Sequence, residues 1–392
     1  MNVTNNHKKK PITANAAVFF KHLFPISLFE RVNKAFGIDT NRKKIIFRTF
    51  CIFLIVVIVN QPHDTSLRGL ESASTNSSLK LISNQESISH TAIAERLKSI
   101  PSSAFEMVLQ NLIKEFKKRL KYKSQFLKGM KVFDVTTFSV SAKHYAWAAK
   151  KQSRGNIRFL FVMDSYSGTP DAIVDASKNL SDNKVFRKAI SVARNGRVFV
   201  FDKGFNSFKI FREIIKNGQH FITRWKSNYQ FNLLYTRKLN PKEKLEGDWI
   251  LESDEIGLID LNSGQDPLSI RKITCRNTLD NSTFIILTDE RNWAPNKIVT
   301  MYVYRWPIEV LFRHIKTNMH VIHFPSHDPE GVQNWMLVVM LSVLIIQFLS
   351  LEEVSNYKIS LMSRKSSFKD RIRRSRIIFS QWILIAFEDS IQ

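Results

Sequence analysis

A mixed α/β sheet preceded by an all-helical region is the fold class this sequence predicts, on three observations. Apolar residues up to about residue 125 recur at helical spacing, whereas from Lys131 onward they fall in short, near-continuous β-branched or aromatic runs. Helical stretches with clear start and stop signals separate several of those runs, so strands and helices alternate in the middle of the chain. Residues 228–289 then carry short β-branched pieces parted by Gly, Asn and Asp turns, which reads as a β-rich insertion.

In order along the chain, residues 1–40 form a basic tail and linker, with His-Lys-Lys-Lys at 7–10 and a short amphipathic piece around Phe19 to Phe36. Residues 41–125 read as a helical DNA-binding domain. Its Ser87-Ile-Ser-His segment supplies capping residues for a helix through Leu97, and Pro101-Ser-Ser caps a second one. In that second helix Phe105, Val108, Leu109, Leu112, Ile113 and Phe116 make one apolar stripe. Lys and Arg on the outer faces suit DNA, although ordinary solvated helices share the pattern.

Residues 126–350 form the catalytic domain. Strands are expected at Lys131–Asp134, Phe138–Val140, Ile157–Met163 and Asp171–Val174. Asp182 caps a helix to Arg194, and Arg197–Asp202 is a buried strand ending in a carboxylate. A helix follows from Phe205 to Lys216, stopped by Gly218 ahead of the strand Phe221–Trp225. After the insertion come a helix around Tyr302 to Lys316 and an apolar helix from Trp335 to Leu351. The remaining residues, 351–392, make a basic helical tail that includes Lys369-Asp-Arg-Ile-Arg-Arg-Ser-Arg376.

Lys and Arg number 59 against 34 Asp and Glu, a net charge of +25 over 392 residues, and that excess calls for a polyanionic partner. Two cysteines, Cys51 and Cys275, build neither a disulfide framework nor a zinc site and fit a reducing compartment. The apolar run Thr49–Val59 is too short for a membrane span, and Trp335–Leu351 carries Ser342, Gln347 and Ser350. Both read as buried core helices, so no membrane partner is expected.

The chemistry concentrates in Tyr302-Val-Tyr-Arg-Trp-Pro-Ile-Glu-Val-Leu-Phe-Arg-His-Ile-Lys316. On an uninterrupted helix, Tyr302, Arg305, Glu309 and Lys316 share one narrow face, while Ile308, Leu311, Phe312 and Ile315 make a separate apolar one. A lone Glu among cations is ordinarily a solvated ion-pair face. Pro307 disfavours one continuous helix and moves its start to about Trp306, leaving Tyr302 and Arg305 on the incoming turn. Asp134 and Asp202 each end a buried strand, where an aspartate is either a helix cap or a ligand facing a cleft. With Glu309 they form a set of hard oxygen donors that suits a pair of Mg²⁺ ions. Asp164 competes as a ligand, but the Ser-Tyr-Ser-Gly turn after it fits a turn cap. His314, His320, His323 and His327 lack the paired spacing of a zinc site.

Asp134-Val-Thr-Thr, Asp202-Lys-Gly-Phe and the Tyr302, Arg305, Glu309, Lys316 spacing together resemble the DDE transposases of bacterial insertion sequences, more narrowly the group with the Tyr-Arg-Glu-Lys signature. The similarity covers roughly residues 40–350. Two departures are Val135 where Ser is common after the first Asp, and Lys203 where Arg often follows the second. The resemblance implies a ribonuclease-H-like core with Asp134, Asp202 and Glu309 as metal-binding catalytic residues for two Mg²⁺ ions, Mn²⁺ substituting. It implies DNA contacts from Tyr302, Arg305 and Lys316, whereas Trp306 either stacks on a displaced base or is a core residue. The implied partners are double-stranded DNA, as element ends and target, and a second copy in a homodimeric DNA complex, with no small-molecule cofactor. The implied setting is the bacterial cytoplasm at the nucleoid, and the implied reaction is cleavage followed by joining of the freed 3′ hydroxyl, with a metal-dependent nuclease that does not join, or an inactive DNA-binding relative, as the alternative.

Overall fold

The computed structural model describes residues 23–356 apart from 41–44, 61–63, 77–86, 120–124, 150–152, 178–181, 194, 241–244, 246, 318 and 322. The basic segments at 7–10 and 364–376 lie outside those residues. The chain divides into two compact units, one of residues 1–119 with 314–392 and one of residues 120–313.

The first unit is helical. It contains α1 (Ile26–Phe36), α2 (Phe47–Asn60), α3 (Leu67–Ser74), α4 (His90–Ser99) and α5 (Ser102–Arg119). Serines start two of them: the Ser66 hydroxyl accepts from the Gly69 N–H and the Ser89 hydroxyl from that of Ala92. The expected stripe of α5, from Phe105 to Phe116, is buried. Helix α2 is apolar on every side and buried from Phe50 through Val59, as an interior helix must be. Arg96 is also buried, and its guanidinium is satisfied by the carbonyls of Ile38 and Ile45 and by Asp39.

The second unit is built on one nine-stranded sheet. Its strands and helices are β1 (Met130–Ser141), β2 (Arg154–Asp164), β3 (Thr169–Asp175), α6 (Asp182–Val192), β4 (Val198–Phe201), α7 (Phe208–Lys216), β5 (His220–Arg224), β6 (Asn232–Thr236), β7 (Trp249–Ile259), β8 (Leu268–Asn277) and β9 (Thr283–Thr288). The sheet order is β3-β2-β1-β4-β5-β9-β8-β7-β6. Strands β1, β4 and β5 run parallel and every other neighbouring pair is antiparallel. This is a mixed sheet of ribonuclease-H-like kind, and the β-rich stretch of the sequence extends it through β9 beside β5. Helices α6 and α7 bury their apolar sides with Phe133, Phe199, Phe201 and Phe221. Phe211 and Phe221 stack with ring centres 4.2 Å apart. Gly218 ends α7 with a left-handed φ of 69°, a conformation that a Cβ makes costly.

Several boundaries differ from the sequence reading: α7 starts at Phe208, because Lys203–Phe205 form a separate short turn, α6 ends at Val192, and two strands are longer than expected. Lys131–Asp134 and Phe138–Val140 are one strand, because β1 pairs with β2 without a break from Lys131 to Ser141. Asp134 therefore lies inside a strand instead of ending one. Within the β-rich stretch, the pieces that the sequence shows at 249–251 and 256–261 are one strand up to Ile259, with an irregularity between Leu251 and Ser253. Strand β6, with all five residues exposed, has no burial periodicity to betray it.

The outer strands are pinned by Arg271, fully buried on β8. It donates to both carboxylate oxygens of Asp254 at 2.7 Å and to the Trp293 carbonyl at 2.6 Å. Trp293 stands just before α8 (Pro295–Val303), so this network fixes the approach of the helix that carries Tyr302. Arg271→Ala leaves Asp254 and that carbonyl short of a donor. The expected cost is about 3–5 kcal/mol, read as a lower urea midpoint at unchanged slope. A loss below about 1 kcal/mol would show that Arg237, whose Nε lies 3.4 Å from Asp254, suffices alone.

After α8 come α9 (Trp306–Thr317) and α10 (Pro329–Asn356). Helix α10 belongs to the first unit and packs on α2, α4 and α5. Asn334 donates to the carbonyls of Leu97 and Ile100, and Trp335 is fully buried. By length and composition α10 is the one helix among the described residues that suits a membrane span, and here it is a core helix.

Candidate functional site

The parallel strands align the site. Phe133 on β1 pairs with Phe201 on β4, and Phe201 pairs with Thr223 on β5. The next residues along the three chains are Asp134, Asp202 and Arg224, so two carboxylates and a guanidinium form a row at one sheet edge, about 4.8 Å per strand. Pairing of β1 with β4 stops at Phe133, which frees the β4 side of Asp134 while β2 still holds its other side.

Each carboxylate has local partners. Asp134 accepts from the Val135 N–H at 2.8 Å through Oδ1 and from Arg305 Nη1 at 2.9 Å through Oδ2. Asp202 caps the short turn Lys203–Phe205, accepting from the Gly204 N–H at 3.3 Å. Being a cap does not remove it from the site, because its other oxygen makes no part of that bond. Glu309 lies in the first turn of α9 and accepts from Arg305 Nη2 at 2.6 Å.

Pro307 acts as the sequence predicts on the helix start and differently on what precedes it. Helix α9 begins at Trp306, and Arg305 sits in the turn before it. Tyr302 is the penultimate residue of a separate helix, α8. The single helical face shared by Tyr302, Arg305, Glu309 and Lys316 therefore does not exist; the break reassembles three of the four by another route. The Arg305 guanidinium lies 5.5 Å from the centre of the Tyr302 ring while spanning Asp134 and Glu309. Lys316 lies two turns beyond Glu309 on α9, half-buried, in the part of the chain that belongs to the first unit.

The electrostatics follow from crowding like charges away from water. Burial pushes the Asp134 carboxyl up to about 6; the Val135 N–H and Arg305 oppose this, and Glu309 and Asp202 add to it. Burial likewise raises the Tyr302 phenol. Burial alone would lower the Arg305 guanidinium, but the attraction of Tyr302, Glu309 and Asp134 holds it above its ordinary value. Desolvation lowers the Lys316 ammonium. Tyr302 is only 5% exposed, and its hydroxyl and Arg305 Nε are buried without hydrogen-bond partners.

Trp306 is not a core tryptophan: it is 54% exposed, beside an open apolar groove of about 720 Å³ whose walls include Trp249, Phe284, Val303 and Tyr304. Asp164 leaves the set of candidate ligands. It accepts from Lys131 Nζ at 2.8 Å and from the Ser167 N–H, in a buried cluster that Asp171 completes. Arg224, whose guanidinium packs 5.1 Å from the Phe284 ring, was missed because it is the last residue of β5, read in the sequence only as part of a strand. Its offset from Gly218 is uninformative until the register with Asp202 is known.

Among the described residues no three His, Cys, Asp or Glu side chains converge closely enough to hold a metal ion as they stand. The donor set is nonetheless chemically suited to a hard divalent cation, since Asp134, Asp202 and Glu309 are all carboxylates, and Asp134 is pushed toward its neutral form by burial first and by the charges of Glu309 and Asp202 in addition. The cationic group presently between Asp134 and Glu309 is Arg305.

Residues 127–345 match the family model described as the transposase DDE domain, which spans the chain from just before β1 well into α10. A protein of Sinorhizobium fredii (strain NBRC 101917 / NGR234), named "Putative transposase y4zB", is 26% identical over 204 residues, 51% of this chain and 55% of that protein. A Geobacillus stearothermophilus protein, named "Probable transposase for insertion sequence element IS5377", is 18% identical over 276 residues, 70% of this chain and 71% of the relative. The chain thus spans about half the length of the first relative and more of the second. With more than half of its residues inside the family model, the chain belongs to the transposase DDE domain family.

Proposed function

We propose that this protein is a DNA transposase that cleaves a phosphodiester at the end of its element and joins the freed 3′ hydroxyl to target DNA. The observation that carries this reading is the sheet-edge row of Asp134 and Asp202, joined to Glu309 through Arg305. Asp134, Asp202 and Glu309 would hold the divalent ions, Mg²⁺ or Mn²⁺. Such ions, when bound, make water or a hydroxyl nucleophilic at neutral pH and offset charge on the leaving oxygen.

The protein's own groups supply the rest. Arg305 and Arg224 present planar forks to backbone phosphates, the Tyr302 hydroxyl offers a further donor, and Lys316 adds a point charge. Trp306, exposed at the groove, is placed to stack on an unpaired base. The +25 charge supports sequence-independent attraction to the duplex, with affinity falling steeply as salt rises. Two ends joined together call for two protomers, which is the basis for a homodimeric complex.

The test is an assay that scores cleavage and joining separately, using a labelled duplex copied from the DNA flanking the reading frame and a supercoiled target plasmid. Joined product is expected in Mg²⁺ or Mn²⁺ and none in excess chelator. Cleavage without joining in either metal would replace the transposase reading with that of a nuclease.

A further inference from the structure

We propose that Arg305 makes metal loading contingent on DNA: its guanidinium holds Asp134 and Glu309 until a backbone phosphate draws it away, and only then can a cation take the carboxylates. This rests on the metal-ligand reading of Asp134 and Glu309 given above. Arg305 donates from Nη1 to Asp134 Oδ2 at 2.9 Å and from Nη2 to Glu309 Oε1 at 2.6 Å. Its side chain is 12% exposed, so solvent screens neither bond strongly. Arg305 takes one oxygen of each carboxylate and sets its positive charge between the two, where a cation bridging them would sit. A guanidinium and a divalent ion repel each other and cannot share that place.

A second observation points to what displaces it. Arg305 Nε and the Tyr302 hydroxyl are both buried and both without an acceptor. A guanidinium presents five N–H donors, and here the one on Nε is left over, beside an aromatic residue whose own polar atom is also unsatisfied. Unpaired buried donors are costly, and an anionic oxygen drawn to Arg305 Nε offsets that cost. Inorganic anions and DNA phosphates share that chemistry, but the charge of the chain favours the polyanion. A phosphate seated on the fork of Nε and a terminal nitrogen takes at least one of the two terminal nitrogens from its carboxylate. Binding of the DNA end then releases the ligand set. The consequence is specificity: protein away from DNA does not assemble a hydrolytic centre, and assembly is local to a bound phosphate.

The test measures Mn²⁺ binding to the full chain by titration calorimetry and by the loss of free-ion paramagnetic resonance signal. Arg305→Gln is expected to bind Mn²⁺ about tenfold or more tighter than the unmodified protein in the absence of DNA. A duplex copied from the flanking DNA is expected to raise the affinity of the unmodified protein toward that of the variant while leaving the variant unchanged. Arg305→Lys, whose single ammonium cannot span two carboxylates, is expected to fall between them, and it decides the matter if Arg305→Gln does not fold. Equal Mn²⁺ affinity in the unmodified protein and both variants overturns the gate. Adding Glu309→Gln to Arg305→Gln separates the two readings. If it abolishes Mn²⁺ binding, the ligand assignment stands whatever becomes of the gate; if Mn²⁺ still binds as before, the assignment itself fails.

Discussion

Glu309→Gln is expected to lower single-turnover cleavage of end DNA by on the order of 10³-fold or more at saturating Mg²⁺, while DNA affinity changes by no more than about threefold. Glutamine keeps the length and shape of the side chain in the first turn of α9, so the helix persists. It removes one negative charge from the proposed ligand set and weakens the bond to Arg305, which remains tied to Asp134. A loss in cleavage alone marks Glu309 as a group acting on the reacting phosphate. A cleavage rate within tenfold of the unmodified protein would remove Glu309 from the site.

Asp134→Asn is expected to abolish cleavage and, at the same time, to stabilise the protein. The folded-state pKa of Asp134 is raised, from an ordinary value near 3.8 to about 6. Between those values the folded state holds a proton that the unfolded state has lost, so stability falls as pH rises through that window and stays lower above it. The neutral asparagine escapes that penalty. The variant is expected to be more stable by about 1–3 kcal/mol at pH 8, and the difference is expected to vanish near pH 3, where aspartate is protonated in both states. Urea denaturation at the two pH values checks this. A variant less stable than the unmodified protein at pH 8 would mean that the bond to Arg305 outweighs the desolvation of the carboxylate.

Much of this architecture was legible because it rests on local physics. The stripe of α5 was read from spacing, the C-terminal end of α7 from Gly218, and the buried strand β4 from four apolar residues in a row. Asp202 was singled out because it directly follows such a strand, a place where an aspartate is also an ordinary cap, and the structure shows it capping the turn Lys203–Phe205. Asp134 was singled out as the end of a strand, whereas it lies within β1 and what ends at Phe133 is the pairing with β4. Trp306 shows the opposite case. The sequence left it either stacking on a base or sitting in the core, and the side chain stands more than half exposed. Nothing in a local pattern tells which side of a helix start faces the core.

By itself the sequence determined the class of fold, the helices and strands that carry it, the excess positive charge and the residue types able to bind a metal and a phosphate. These depend on periodicity, capping and composition, all of which act over a few residues or over the whole chain at once. Only the tertiary structure decided how those residues meet. It put Asp134, Asp202 and Arg224 in one row, because register between parallel strands is set by packing across the sheet. It also split the presumed single helix at Pro307 and let Arg305 reach 171 residues back along the chain to Asp134. Contacts of that range follow from the closure of the whole core, and no local pattern encodes them.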